Sequence, residues 1–157
     1  YAKSGDTAKA ENAVQELILR VERMFMEPYS VISSTSSASR TTSQENTASV
    51  AVARMCDFIA ANFLEDIDAT DIARVANLHP KYAMNVFRKS TGMTLMKYLT
   101  LLRLSRAQAM LVSGKDNILS IAMESGFGSV SAFNKAFRQI AGMPPSGFRR
   151  GSSGFFQ

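Results

Sequence analysis

The sequence is short of the residues that do covalent and metal chemistry. Its 157 residues include one cysteine, Cys56, and one histidine, His79. A single cysteine excludes an intrachain disulfide, and one Cys with one His cannot form a zinc site of the usual kinds. Cys56 lies in an apolar run with Met55, Phe58 and Ile59 and is expected to be a buried small hydrophobe. His79 precedes Pro80 and reads as a turn residue rather than a general base. Gly126-Phe127-Gly128 is no phosphate cradle, because it lacks a preceding strand and a following lysine. Strand signals are missing: there are no alternating β-branched runs and no hairpin dipeptides. No apolar run approaches the ~20 residues of a membrane span, and no secretory signal opens the chain. These absences lead us to expect no catalytic residues, no metal, no cofactor and no membrane partner, in a reducing, cytoplasmic setting. The first residue is Tyr1 rather than Met, so a piece of a longer protein is expected.

Apolar residues make up 46% of the chain, enough for a buried core. The net charge is +5, and the isoelectric point is near 9.6. Residues 1–48 hold five Lys/Arg against six Asp/Glu, a net of −1, whereas residues 49–157 hold thirteen against seven, a net of +6. The basic surplus therefore belongs to the second stretch and suits an anionic partner there.

The chain divides into four parts. Residues 1–28 contain an amphipathic pattern in which Val14, Leu17, Ile18, Val21, Met24 and Phe25 recur at spacings of three and four. Pro28 ends it. Its mixed charges favour packing on another domain or a second copy over a membrane surface. Residues 29–48 are rich in Ser and Thr and read as a flexible linker. Residues 49–150 are helical in pattern throughout, with helices expected at about 49–63, 70–77, 80–91, 94–112, 117–125 and 130–141, and a short turn after Pro144. Residues 151–157 form a tail.

The helical stretch contains a duplication. One copy runs Ile72-Ala73, Leu78, Phe87-Arg88, Gly92-Met93. The other runs Ile121-Ala122, Phe127, Phe137-Arg138, Gly142-Met143. The offset is 49 before the turn and 50 after it, so the second turn holds one extra residue. Each copy is a short helix, a sharp corner and a second helix. Gly126 supplies a permissive backbone at one corner, and Asn77, the next most tolerant residue type, stands at the other. Pro80 suits the first position of its helix and Ser129 can cap the equivalent one. This is the layout of a helix-turn-helix, in which the second helix enters the DNA major groove. A plain helical bundle, or a helical protein-interaction scaffold without sequence-specific DNA binding, would use the same hairpins. Two in-register copies on the basic part of the chain favour DNA. The joining segment, Leu95 to Val112, carries Leu95, Leu99, Leu102, Ala107 and Leu111 at helical spacing and would span roughly 27 Å.

Residues 50–150 resemble the AraC/XylS family of bacterial transcription regulators. The second copy carries the motif as Ile118, Ile121-Ala122, Gly126-Phe127, Ser131, Phe133, Phe137-Arg138, Gly142, Pro144-Pro145 and Phe148-Arg149. The joining helix adds Tyr98, Arg103-Leu104, Ala107 and Leu111. Tyr82-Ala83-Met84 and its surroundings are similar to the melibiose-type sugar regulators. The resemblance implies an all-α, homeodomain-like fold of two helix-turn-helix subdomains joined by a long linker helix. It implies recognition of a double-stranded DNA operator, in control of a carbon-source or metabolic operon as activator or repressor, with RNA polymerase as a partner. It places one recognition face at Lys81, Tyr82, Met84 and Asn85 and the other at Val130, Ser131, Asn134 and Lys135, with Ser129 beside it as a further DNA-binding residue. Arg88, Lys89 and Arg138 fall where phosphates would lie. Asn suits adenine, Lys suits guanine or phosphate, and Met84 and Val130 suit a thymine methyl. Leu78, Val86, Phe87, Phe133 and Phe137 are expected in the core. His79 replaces the family's usual serine cap, and Asn85 replaces its usual arginine. The resemblance also implies a preceding sensor domain, with residues 1–28 as its tail and a homodimer formed through that helix or the sensor itself.

Overall fold

A computed structural model describes residues 41–114 and 116–152, together with Glu16 and Leu19. Every regular element among the described residues is a helix. In chain order they are α1 (Thr41–Asn62), α2 (Ala69–Val75), α3 (Pro80–Thr91), α4 (Leu95–Ser113), α5 (Ile118–Glu124), α6 (Val130–Ala141) and α7 (Pro145–Ser152). They form two units. Among the described residues, the first comprises 41–62 and 67–99, and the second comprises 63–66 and 100–152.

Local chemistry sets the helix boundaries. Asp68 caps α2: its carboxylate accepts from the backbone N–H groups of Thr70 at 2.7 Å and Asp71 at 2.9 Å. The Asp71 side chain accepts from the Asp68 N–H at 3.1 Å, completing a capping box. Asn117 caps α5 through the Ser120 N–H at 2.8 Å. The corner after α2 turns at Asn77, with φ +54°, and the corner after α5 turns at Gly126, with φ +84°. Both are left-handed, which Asn and Gly tolerate best. Helices α3 and α6 end on left-handed Gly92 and Gly142, whose N–H groups reach the carbonyls of Arg88 at 2.9 Å and Arg138 at 3.0 Å.

The duplication extends beyond the two hairpins. Leu78 donates its N–H to the Ala73 carbonyl at 3.1 Å, and Phe127 donates to Ala122 at 3.0 Å. Tyr98 donates to Thr94 at 3.1 Å, and Phe148 donates to Pro144 at 3.1 Å. The start of α4 is therefore to α3 what α7 is to α6. The ring pairs agree: Phe87 and Tyr98 lie 5.8 Å apart, and Phe137 and Phe148 lie 5.4 Å apart.

Core packing follows the apolar periodicity. In the first unit Val52, Met55 and Ile59 of α1 are buried, as are Ile72 and Ala73 of α2, Phe87 of α3, and Leu95 and Leu99 of α4. Leu104, Ala107 and Leu111 of α4 join Ile121, Phe127, Phe133, Phe137 and Phe148 in the core of the second unit. Its rings form a chain, with centroids 5.2 Å apart for Phe127–Phe133 and 5.6 Å for Phe133–Phe137. Tilted and edge-on pairs of this kind add ~0.5–1.5 kcal/mol beyond burial. Helix α4 thus gives Leu95 and Leu99 to one unit and Leu104, Ala107 and Leu111 to the core of the other.

Two boundaries differ from the sequence reading. Helix α1 begins at Thr41, inside the stretch read as a flexible Ser/Thr linker. Ser and Thr lower helix propensity by only a fraction of a kcal/mol, and Gln44, Glu45 and Ala48 are good or adequate helix formers. The helix runs on unbroken into its buried face at Ala51, Val52 and Met55. The turn expected after Pro144 is an eight-residue helix that takes in the first two tail residues. Pro145 is compatible with its first position. Phe148 anchors it in the core, and the buried Ser152 hydroxyl donates to the Phe148 carbonyl at 3.0 Å. Residues 29–40 and 153–157 lie outside the described residues, as does the amphipathic segment apart from Glu16 and Leu19, which are helical and exposed.

Candidate nucleic-acid interface

Each recognition-type helix buries one face and leaves the other bare. Helix α3 buries Ala83, Val86 and Phe87, and α6 buries Phe133 and Phe137. At about 100° per residue, the centre of the exposed face of α3 is Lys81, Asn85 and Arg88. Met84 lies on one flank, with Tyr82 and Lys89 on the other, and all six are exposed. In α6 the same phases hold Ser131, Lys135 and Arg138 at the centre and Asn134, Ala132 and Gln139 on the flanks. All are exposed except Asn134, which is half-buried.

The structure refines the residues expected on these faces. Lys81, Tyr82, Met84, Asn85, Arg88 and Lys89 share one exposed face of α3. Ser131, Asn134, Lys135 and Arg138 share the corresponding face of α6. Ser129 is the cap of that helix, its hydroxyl accepting from the Ala132 N–H at 3.1 Å. Val130 is half-buried and packs against the core of its unit, so its methyls are largely spent there. Its counterpart is Pro80, not a face residue. Ala132 and Gln139, absent from the sequence reading, take the places that Tyr82 and Lys89 hold in α3. Carrying the offset of 50 through the whole helix would have found both. Leu78, expected in the core, is only half-buried, whereas Val86, Phe87, Phe133 and Phe137 are buried as expected.

The caps of the two helices are unequal. His79 accepts from the Lys81 N–H through Nδ1 at 3.3 Å, a longer contact than that of Ser129. Neither helix carries an acid in its first turn, so nothing there repels a phosphate. Arg88, Lys89 and Arg138 occupy the last turns, where cations complement the helix dipole.

Several other cations serve the fold. Arg103 donates Nε to the Phe63 carbonyl at 2.7 Å and an Nη to the Glu65 carbonyl at 2.7 Å. Partial burial lowers its pKa from the ordinary value, and Asp66 opposes that shift. Arg106 donates to the Glu124 carbonyl at the end of α5, at 3.0 Å. Arg149 donates to the Asp116 carbonyl. Arg74 pairs with Asp71 at 3.1 Å. The basic surplus of residues 49–157 is therefore only partly a binding surface. Cys56 is partly buried, and burial with Asp57 nearby pushes its thiol up to about 12, against a hydrogen bond from Tyr98. It is not a reactive thiol. The described residues contain no cluster of metal-ligating side chains, and no helix among them is long and apolar enough to cross a membrane.

A family profile described as a helix-turn-helix domain matches residues 72–151, which takes in both hairpins. The chain belongs to the AraC-type helix-turn-helix family. It is 29% identical over 139 residues to the melibiose operon regulatory protein of Escherichia coli (strain K12), covering 88% of this chain and 46% of that protein. It is 35% identical over 92 residues to the Msm operon regulatory protein of Streptococcus mutans serotype c, covering 59% of this chain and 33% of that protein. It thus spans about half the length, or less, of these curated relatives. Among solved structures, the C-terminal domain of AraT, a response regulator from Geobacillus stearothermophilus, matches with a TM-score of 0.60 at 27% identity. That match covers 64% of this chain and 84% of that one. The all-helical architecture of two helix-turn-helix units is that of AraC-type DNA-binding domains.

Proposed function

We propose that this chain is the DNA-reading half of a bacterial transcription regulator, binding a double-stranded operator through α3 and α6. One observation carries the reading: two helices in matched frames expose matched faces of polar and cationic residues. A helical bundle has no need of this. On the face of α3, Lys81 and Asn85 address base edges, with Arg88 and Lys89 towards phosphates. On α6, Ser131, Asn134 and Lys135 address bases, with Arg138 towards a phosphate. The melibiose and Msm operon regulators among its relatives support control of a sugar or other carbon-source operon. Residues 1–28 are then the tail of a preceding sensor domain and a means of dimerisation, and RNA polymerase is the partner for activation.

Selection of duplexes from a random library, followed by titration of the winner, tests the reading. A defined sequence should be enriched. The three cations assigned to phosphates, Arg88, Lys89 and Arg138, would give a salt slope of about −2.7 if each neutralises one phosphate. That slope corresponds to about a 40-fold loss of affinity between 50 and 200 mM salt. Enrichment of no sequence over random duplex defeats the proposal and favours a protein-interaction scaffold. Asn134→Ala should relax specificity at one or two base pairs, whereas Arg88→Ala should weaken binding to all duplexes alike. Identical behaviour of the two variants would refute the division of contacts.

A further inference from the structure

The two faces occupy the same frame but carry different chemistry on their flanks. Met84 of α3 is 43% exposed and Tyr82 is 54% exposed, both high for large apolar side chains. Their counterparts in α6 are Asn134 and Ala132. The hydrogen bonds that close each corner and each helix end recur in both copies, so the difference is not imposed by the fold. A thioether or a phenyl ring on the flank of a groove-bound helix has no good partner among phosphates, the tyrosine hydroxyl alone excepted. It does have one on the bases: the C5 methyl of thymine, which projects into the major groove towards its own strand. Asn134 instead offers the paired donor and acceptor that adenine matches, and Ala132 ends at its Cβ, short of the reach of a tyrosine ring.

We propose that the two units read unlike half-sites by different chemistry: α3 recognises thymine methyls through Tyr82 and Met84, while α6 reads its half-site by hydrogen bonding through Asn134 and Lys135. The inference rests on the DNA-reading function above and adds the chemical character of each half-site. Polar Lys81 and Asn85 stay at the centre of α3, so its half-site is thymine-bearing rather than uniform.

Replacement of thymine by deoxyuridine, which removes the C5 methyl and leaves base pairing intact, tests it. The selected operator is first divided by Asn85→Ala and Lys135→Ala, each of which relaxes specificity in the half-site of its own helix. Deoxyuridine is then placed in one half-site at a time, and binding to the 157-residue chain is followed by fluorescence anisotropy. In the α3 half-site each contacted methyl removed should weaken binding about fourfold, the value of one buried carbon. In the α6 half-site the change should stay below about twofold, since no methyl is buried there. The double variant Tyr82→Ala, Met84→Asn installs the α6 residues at exposed positions, so the fold should survive. It should lose the sensitivity to deoxyuridine. Equal sensitivity in both half-sites, sensitivity that survives in the double variant, or an α3 half-site without thymine would each overturn the inference. A selected operator that tolerates deoxyuridine everywhere defeats this inference alone. Failure to select any operator defeats the DNA-reading function instead.

Discussion

Gly126→Ala separates two costs that usually come together. Gly126 and Gly142 both sit at positive φ, +84° and +72°. An alanine at either position incurs the left-handed penalty of about 1–2 kcal/mol. At Gly142 a Cβ would meet nothing within 4 Å. At Gly126 it would lie 2.8 Å from the Phe63 carbonyl oxygen, 3.0 Å from Arg103 Nε and 3.1 Å from the Leu64 Cα. Two of those neighbours are backbone atoms, and the third is the guanidinium nitrogen that holds the Phe63 carbonyl at 2.7 Å. A flexible side-chain end could swing away, but this loop cannot yield without stretching that bond. Overpacking of this kind costs about 1–3 kcal/mol. Gly142→Ala should therefore lose about 1–2 kcal/mol, the backbone term alone. Gly126→Ala should lose about 2–5 kcal/mol, the sum of both terms. Urea unfolding followed by circular dichroism reads the difference. With a slope of about 1–3 kcal/mol per molar, the midpoint of Gly126→Ala should fall roughly 1 M further than that of Gly142→Ala. Equal midpoints would show that the close approach around Gly126 carries no energetic weight.

Other expectations follow from single contacts. Phe137 is fully buried between Phe133 and Phe148. Phe137→Ala should cost about 3–5 kcal/mol, and a loss below 1 kcal/mol in urea unfolding would contradict the assigned core. The raised pKa of Cys56, about 12 against 9.0, makes its thiolate scarce but more nucleophilic. Near neutral pH these effects combine to slow iodoacetamide about fortyfold relative to an ordinary thiol, and labelling at the free-cysteine rate would refute that environment. The backbone N–H groups of Asp71 and Thr70 hold the Asp68 carboxyl below its ordinary value. Its stabilising effect is complete above about pH 4, the unfolded value, and is lost as pH falls through the depressed folded value. The thermal midpoint should thus drop more between pH 7 and pH 3 in the native chain than in Asp68→Asn, and parallel drops would remove the charged cap from the account.

The parts of the fold legible in the sequence are those that local rules decide. Asn77 and Gly126 stood where a corner needed a left-handed residue, and both adopt one. Phe87, Phe133 and Phe137 followed helical spacing into the core. What escaped depended on partners distant in the chain. The Ser/Thr composition before residue 49 concealed eight helical residues, because composition does not reveal the packing that follows. The helix after Pro144 read as a turn because Phe148 gains its stability from Phe137, eleven residues earlier. Arg103 and Arg106 counted only towards the basic surplus of residues 49–157 until their carbonyl partners were in place. Val130 was expected on the recognition face because Ser131 stands beside it. Only the register of the duplicated frame separates it from Ala132.

That frame also separates what the fold requires from what a partner requires. Phe87 and Phe137 are identical because each fills a core, and Gly92 and Gly142 because each closes a helix in a left-handed turn. Arg88 and Arg138 are identical too, yet both are exposed. Only their carbonyls are used by the helix-ending bonds, and any residue supplies a carbonyl. Packing therefore does not explain the repeated guanidinium, and the helix dipole asks only for a cation there, not for an arginine. The central positions one and two turns earlier differ between the copies: Lys81 against Ser131, and Asn85 against Lys135. A partner that presents one constant feature and one variable feature to both units would produce this pattern. Duplex DNA does so, since its phosphates repeat along the helix while its base edges change. A protein scaffold partner offers no such division. Exchanging Arg88 for Gln should accordingly lower affinity for every operator variant by one common factor, whereas exchanging Asn85 for Lys, the α6 residue, should change which base is preferred. Were Arg88→Gln to alter base preference instead, the constant feature would not be phosphate.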